Sequence, residues 1–304
     1  MGLERAGEDG YRQPIPPIAA TNLLARIPGR SHRTVILGAH YDACGWDNPG
    51  ADDNAAAVAI TVEVARRLRD MDLERTVVIA LFDAEEPPYF LSPEMGSQWF
   101  VDHPTVPLAD IDTMVCLDLV GHAVGPQGAP DSIRDSVFVL GAEKSSGTGT
   151  LIDALPAVPG IRPRRIDNYV IESMSDYDAF MNSSVPFLFY TCGRSEHYHA
   201  PTDTPDRLDY PKMESLAVHL VDLMHTLANR SGPVVYVSGG IDDRATTHTL
   251  LEMLSELADA HPLAGQASVL LESLHRKAHD DGGLDVEDRQ LIAQVVMGVE
   301  STLA

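Results

Sequence analysis

Two histidines and a group of carboxylates stand at the ends of apolar runs. His40 and Asp42 follow Val35–Leu37, and Glu85 and Glu86 follow Thr76–Phe82. Asp118 interrupts the run M-V-C-L-D-L-V-G, and His197 and His199 come after Val185–Tyr190. Asp53 lies on the loop that leaves the first run. Imidazole and carboxylate together suit Zn²⁺ without any thiolate. Two metals about 3.5–4 Å apart need a bridging carboxylate and terminal ligands on each side, and this set is rich enough to provide them.

Taken singly, each residue also has a plainer reading. His40 fits a core or loop histidine, and Asp52-Asp53-Asn54 fits a helix cap. Glu85 and Glu86 are adjacent carboxylates directly after a buried strand. Either the loop is exposed, or a cation neutralises one of them, because burying both is costly. An unpaired charge at Asp118 would be expensive inside a strand, so a metal, an Arg partner or the end of the strand is required there. His197-Tyr198-His199 lies in a turn-rich segment that fits a surface loop.

The elements that would position these residues alternate between strand and helix. Strands are expected at 21–27 (an edge), 34–39, 76–82, 111–119, 137–140 and 185–190, each an apolar or β-branched run. Helices are expected over 55–69, 145–157 and 212–229, and starting near Gly96 and Ser175. In the first, Val58, Val62, Ala65 and Leu68 recur at helical spacing; in 212–229 the apolar positions are Leu216, Leu220, Leu223 and Leu227. Residues 1–30 are otherwise an irregular lead-in, and 87–95 is a Pro-rich loop. Ligand-type residues beyond buried strands sit where open α/β sheets place their sites. A Ser/Gly-rich break at 231–240 precedes a helical tail, with helices near 246–260, 264–279 and 285–303. Its apolar positions include Leu250, Leu254, Leu257, Leu270, Leu274, Ile292, Val295 and Val299, suited to packing or to a homo-oligomer contact. The division is thus 1–232 for a catalytic domain and 241–304 for a helical C-terminal extension.

A formal net charge of −23 and the lack of Lys/Arg clusters argue against nucleic acid as a partner. Three widely spaced cysteines without C-x-x-C fit a reducing compartment and buried, inert thiols. The first ten residues have no apolar leader core, and no run approaches the ~20 residues of a membrane span. A cytoplasmic protein without membrane contact is expected.

The motifs G-A-H-Y-D (38–42), P-G-A-D-D-N (49–54), F-D-A-E-E (82–86), C-L-D-L-V-G (116–121), S-D-Y-D-A-F (175–180) and H-Y-H-A-P-T-D-T-P-D-R-L (197–208) occur in this order. In these, over roughly Thr21–Asn229, the chain resembles the di-zinc aminopeptidases of peptidase clan MH, a group that includes glutamate carboxypeptidases and glutaminyl cyclases. The resemblance implies a three-layer α/β/α fold around a mixed, mostly parallel sheet, with the C-terminal helices as an appendage outside the pattern. It implies two Zn²⁺ per chain: His40 and Asp118 as terminal ligands of one, Glu86 and His199 of the other, and Asp53 bridging. It also implies a cis Asp53–Asn54 bond, Asp42 hydrogen-bonded to the non-ligating nitrogen of His40, and Glu85 as general base. Tyr198 matches a tyrosine that binds the oxyanion in some members, and Asp176 matches an orienting position. The implied activity is removal of N-terminal amino acids from peptides. Carboxypeptidase action or glutaminyl-cyclase-type acyl transfer is the alternative on the same scaffold, with a non-catalytic binding module a distant third. A carboxypeptidase should gather arginines at its pocket, for which Arg164, Arg165 and Arg194 are the candidates. Where many members have a short Gly-Leu-x-Gly-Ser turn after the second glutamate, this chain has P-P-Y-F-L-S-P-E-M-G-S, so one wall of the cleft differs.

Overall fold

A computed structural model describes residues 4–6, 12–14, 17–171, 173–257, 262–280 and 283–303. A short antiparallel pair, β1 (Glu4–Ala6) and β2 (Arg12–Pro14), precedes the main sheet. The seven strands of that sheet are β3 (Leu23–Ile27), β4 (Thr34–His40), β5 (Thr76–Phe82), β6 (Ile111–Leu117), β7 (Ser136–Leu140), β8 (Arg162–Arg165) and β9 (Phe187–Thr191). They lie side by side in the order β3-β5-β4-β6-β9-β7-β8. The middle four, β5, β4, β6 and β9, run parallel, so their carboxyl ends open on one edge. β3 and β7 run against their neighbours β5 and β9, and β8 is parallel to β7.

β4 and β6 are buried along their whole length, as strands covered on both faces must be. α1 (Ala56–Leu68) and α6 (Tyr210–Asn229) pack together on one face. α2 (Gly96–Asp102) and α5 (Tyr177–Asn182) cover the other, where Phe82, Phe100 and Phe180 meet with ring centroids 5.9–6.1 Å apart. Two short helices, α3 (Asp131–Arg134) and α4 (Thr148–Ala154), flank β7 and β8. This is the expected α/β/α architecture.

The apolar stripe expected on α6 is fully buried at Leu216, Leu220, Leu223 and Leu227. Of the stripe expected on the first helix, Leu68 is buried and Val58 and Ala65 pack against the core, and only Val62 misses it. Ile60, Val64 and Leu68 face the core, while Val62 is 51% exposed. β8, Arg-Pro-Arg-Arg in sequence, had no apolar signature and was not expected.

Three helices follow: α7 (Asp243–Leu257), α8 (Pro262–His279) and α9 (Val286–Leu303). The expected residues 258–260 of the first lie outside the described residues. Leu271 rather than Leu270 takes the buried place on α8. The 231–240 stretch is pinned down rather than free. Val235 N–H donates to Ser146 Oγ at 2.8 Å, Val237 N–H donates to the Lys144 carbonyl at 2.8 Å, and Tyr236 bridges to Ser145. Arg164, buried in β8, donates to Ser136 Oγ at 2.9 Å and to Glu252 of α7 at 2.6 Å. Arg165 reaches Asp242 at 2.5 Å and Asp153 at 2.9 Å. The basic strand therefore docks the tail through ion pairs. Among the described residues no helix is long and apolar enough to cross a membrane.

Candidate metal centre

Each expected metal ligand enters the site at or beyond the carboxyl end of one of the four parallel strands, whereas Asp176 stands at the start of α5. His40 is the last residue of β4. Asp53 lies in a tight turn, Ala51–Ala55, that runs into α1. Gly50 opens this turn at φ 64°, where a Cβ would stand 2.7 Å from the Asp53 carbonyl, so glycine is required there. Glu85 and Glu86 follow β5, Asp118 directly follows β6, and His199 lies on the loop after β9. The third apolar strand ends at Leu117, one residue before the charge, rather than running through it to Leu119. Ala84, Leu119 and His199 hold φ of 54–56°. This left-handed backbone costs a non-glycine residue on the order of 1 kcal/mol or more, and it turns the neighbouring carboxylates and the imidazole inward.

The side chains converge in two sets about Asp53. His40 Nε2 is 3.2 Å from Asp53 Oδ1 and 3.4 Å from Asp118 Oδ1. His199 Nε2 is 3.2 Å from Asp53 Oδ2 and 3.1 Å from Glu86 Oε2. Yet His40 Nε2, Asp53 Oδ2, Glu86 Oε1 and Asp118 Oδ1 are buried without an aligned hydrogen bond. They point towards common centres instead of at one another. Ligands at ~2.0–2.2 Å around a tetrahedral zinc lie roughly 3.4 Å apart, which matches these separations.

Charge gives the same answer. Asp53, Glu85, Glu86, Asp118 and Asp176 are all buried, against the two imidazoles of His40 and His199. Among the described residues no Lys or Arg ion pair reaches any of them. Burial pushes the Glu85 carboxyl well above the usual range, and Asp118, Asp176 and Glu86 add to this against the pull of His40. Burial likewise drives Asp176 up to about 7. Asp53 goes the other way, because His199 and His40 outweigh its burial. The nearby carboxylates of Asp53 and Glu86 raise His199 to about 9. Such an excess of buried negative charge calls for cations, and the oxygen-and-imidazole donor set fits Zn²⁺.

The residues around the centre hold its parts in place. Asp42 meets the non-ligating nitrogen of His40 chiefly through its backbone carbonyl. His40 Nδ1 lies 3.1 Å from the Asp42 carbonyl and 3.5 Å from its carboxylate. That carboxylate instead accepts the Glu85 and Glu86 N–H groups, each at 3.1 Å. Asp203 accepts the N–H of Asp52 at 2.8 Å and of Asp53 at 3.1 Å. Asn54 donates to the Leu117 carbonyl at 3.0 Å, and Asp52 accepts from Gly121 N–H at 2.7 Å and faces His122 Nδ1 at 2.6 Å. Sequence reading assigned no role to Asp203 or His122. Asp203 lies inside the 197–208 motif, and His122 directly follows the 116–121 motif. The Asp53–Asn54 peptide bond is cis, as expected.

Tyr198 stacks on His199 at 3.8 Å, with the Arg194 guanidinium 5.1 Å from its ring centre. His197 turns aside to Thr202 at 3.1 Å and joins neither set. Cys116 and Cys192 are buried as expected, but Cys44 is half-exposed, with its sulfur close to Glu86 and His199. Asp53, Glu85, Glu86, Asp118, Tyr198 and His199 all line one cavity, and Pro87 and Phe90 of the Pro-rich loop form part of its wall.

The family model described as peptidase family M28 matches residues 22–224. The uncharacterized protein YfbL of Escherichia coli is 28% identical over 230 residues, 67% of this chain and 70% of that one. Leucine aminopeptidase 1 of Paracoccidioides brasiliensis is 24% identical over 220 residues, covering 68% of this chain and 48% of its own, so this chain spans about half its length. Among solved structures, a zinc aminopeptidase from Bacillus subtilis superposes with a TM-score of 0.53 at 18% identity, over 69% of this chain and 50% of that one.

Proposed function

The chain belongs to peptidase family M28, and from that premise we propose that it is a zinc aminopeptidase that removes N-terminal residues from peptides. The observation that carries this is the placing of Asp53, with one oxygen 3.2 Å from His40 and the other 3.2 Å from His199. His40 and Asp118 would hold one zinc, Glu86 and His199 the other, and Asp53 would bridge. Zinc held there supplies acidity to a shared water and polarises the scissile carbonyl. Glu85 lies 3.9 Å from His40 Nε2, is buried, and has a raised affinity for a proton. Its carboxylate takes the proton from water and passes it to the leaving amine. The Tyr198 hydroxyl, on the same cavity wall, donates to the developing oxyanion. Asp42 and Asp203 keep the Glu85-Glu86 and Asp53 backbones in register.

The carboxypeptidase alternative needs arginines at the pocket. Arg164 and Arg165 are occupied by the tail, and only Arg194 of the three lines the cavity. Donors on both sides of Asp53 support the two-metal aminopeptidase reading over a single-metal cyclase or a non-catalytic module. Self-association through the C-terminal helices is a separate proposal. Leu250, Leu254, Leu274 and Ile292 are buried within the chain itself, and a dimer mass by light scattering would support it where a monomer would sink it.

The test is metal content together with turnover of amino-acid anilides, for the wild type and Glu85→Gln. We expect about two zincs per chain in both and a kcat lower by about 10²–10⁴ in the variant. Full metal loading with no cleavage of any free-amine anilide would overturn the aminopeptidase reading.

A further inference from the structure

The loop 41–50, which leaves β4, carries a thiol that the centre described above does not use. Cys44 is half-exposed, whereas Cys116 and Cys192 are buried. Its sulfur, a carboxylate oxygen of Glu86 and a ring nitrogen of His199 all lie within 4.8 Å of one another. Donors at ~2.0–2.3 Å around a tetrahedral zinc stand roughly 3.5 Å apart, so closing on one ion takes about an ångström of movement. Glu86 calls for a cation on this side for a reason of its own. It is 4% exposed, its Oε2 is 3.1 Å from His199 Nε2, and its Oε1 has no hydrogen-bond partner. A buried carboxylate oxygen left unpaired is costly without a positive charge beside it. The loop is held where this requires. Asp42, two residues before Cys44, accepts the Glu86 N–H at 3.1 Å. Further along, Gly50 N–H donates to Asn48 Oδ1 at 3.1 Å, and a Cβ on Gly50 would stand 2.7 Å from that of Ala43, so the loop closes on itself.

Resting on the two-metal reading, we propose that Cys44 is a further ligand of the centre, binding as a thiolate the zinc held by Asp53, Glu86 and His199. The Zn–S bond forms as the Sγ–H proton leaves to solvent, since the thiolate is the form that ligates. That ion then has four protein donors, against three for the ion at His40, Asp53 and Asp118. The two metals are therefore held unequally, and the side with the thiolate is the tighter. It is also the softer set, which selects zinc, cobalt or cadmium over magnesium, manganese or calcium, ions that favour oxygen ligands alone. Cys44 stands apart from the other cysteines in the chain, so no ligand spacing marks it. Only the fold brings it to Glu86 and His199.

The experiment loads the full chain with cobalt in place of zinc and records absorption spectra of the wild type and Cys44→Ser. The expected wild-type result is about two cobalt ions per chain, with a near-ultraviolet thiolate-to-cobalt charge-transfer band. The band should vanish in Cys44→Ser at a cobalt concentration that keeps both ions bound. Two bound ions with no such band, or a band that persists in the variant, overturns the proposal and leaves the two-metal reading intact. No uptake of cobalt or zinc by the wild type sinks both. Chelator competition with zinc gives a second measure that needs no turnover. Losing a group that merely supports a ligand already costs about 10–100-fold in metal affinity, so Cys44→Ser should weaken one of the two zincs by at least about tenfold and leave the other unchanged. Wild-type affinity at both sites in the variant, or equal weakening of both, also overturns the assignment.

Discussion

At the scale of single residues, the centre depends on groups that never touch a metal or substrate. Asp203 accepts two successive N–H groups, those of Asp52 and Asp53, and so sets the backbone that aims the bridging carboxylate. Asp203→Ala is expected to lower zinc affinity by about 10–100-fold. A chelator-competition titration measures this, and wild-type affinity in the variant would show that the turn holds itself. His219 offers a pH test away from the centre. Burial holds its imidazole down to about 4, against ~6.5 when unfolded. The folded state therefore binds fewer protons. Stability from this residue is fully present above the unfolded value and is lost as pH falls through about 4. Between pH 7 and pH 5 the loss is roughly 2 kcal/mol. Urea unfolding at both pH values should show a smaller drop for His219→Phe than for the wild type.

At the scale of elements, the polar contacts between strands and helices do as much positioning as the apolar core. Asp112 in β6 is fully buried and receives Arg33 and Arg75 together. Arg75 then reaches the carbonyls of Ala228, Arg230 and Gly232, tying the start of β5 to the end of α6. Asp112→Ala leaves a buried guanidinium without its counter-charge and should cost about 3–5 kcal/mol, read from the chemical denaturation midpoint. A loss under ~1 kcal/mol would mean that the carbonyls alone satisfy Arg75. β8 works the same way, with its arginines engaging Glu252, Glu256 and Asp242 of the tail.

At the scale of the whole molecule, five buried carboxylates gathered on one sheet edge make folding and metal binding interdependent. Zinc that binds only the folded chain stabilises it by about 4 kcal/mol at a thousand times its Kd. Differential scanning calorimetry with zinc and with chelator should show a clear rise in Tm with the metal. Coincident transitions would argue against a metal centre built from these residues. The elements were legible where burial writes itself into composition. β4, β5, β6 and β9 are continuous apolar runs because both faces are covered, and the residues just beyond them could be named by number. By itself the sequence determined the alternation of strand and helix, and which polar residues stand at strand ends. It could not separate Val62 of α1, which is exposed, from Ile60 and Val64, which are buried, because apolar residues alternate there over two turns. Nor could it show that Arg-Pro-Arg-Arg is a strand, since its partners are charges far along the chain. Only the tertiary structure decided that four strand ends share one edge, that Asp203 holds the Asp53 turn, and that Cys44 lies beside Glu86 and His199. Those facts rest on contacts between segments distant in the chain, and no local periodicity records them.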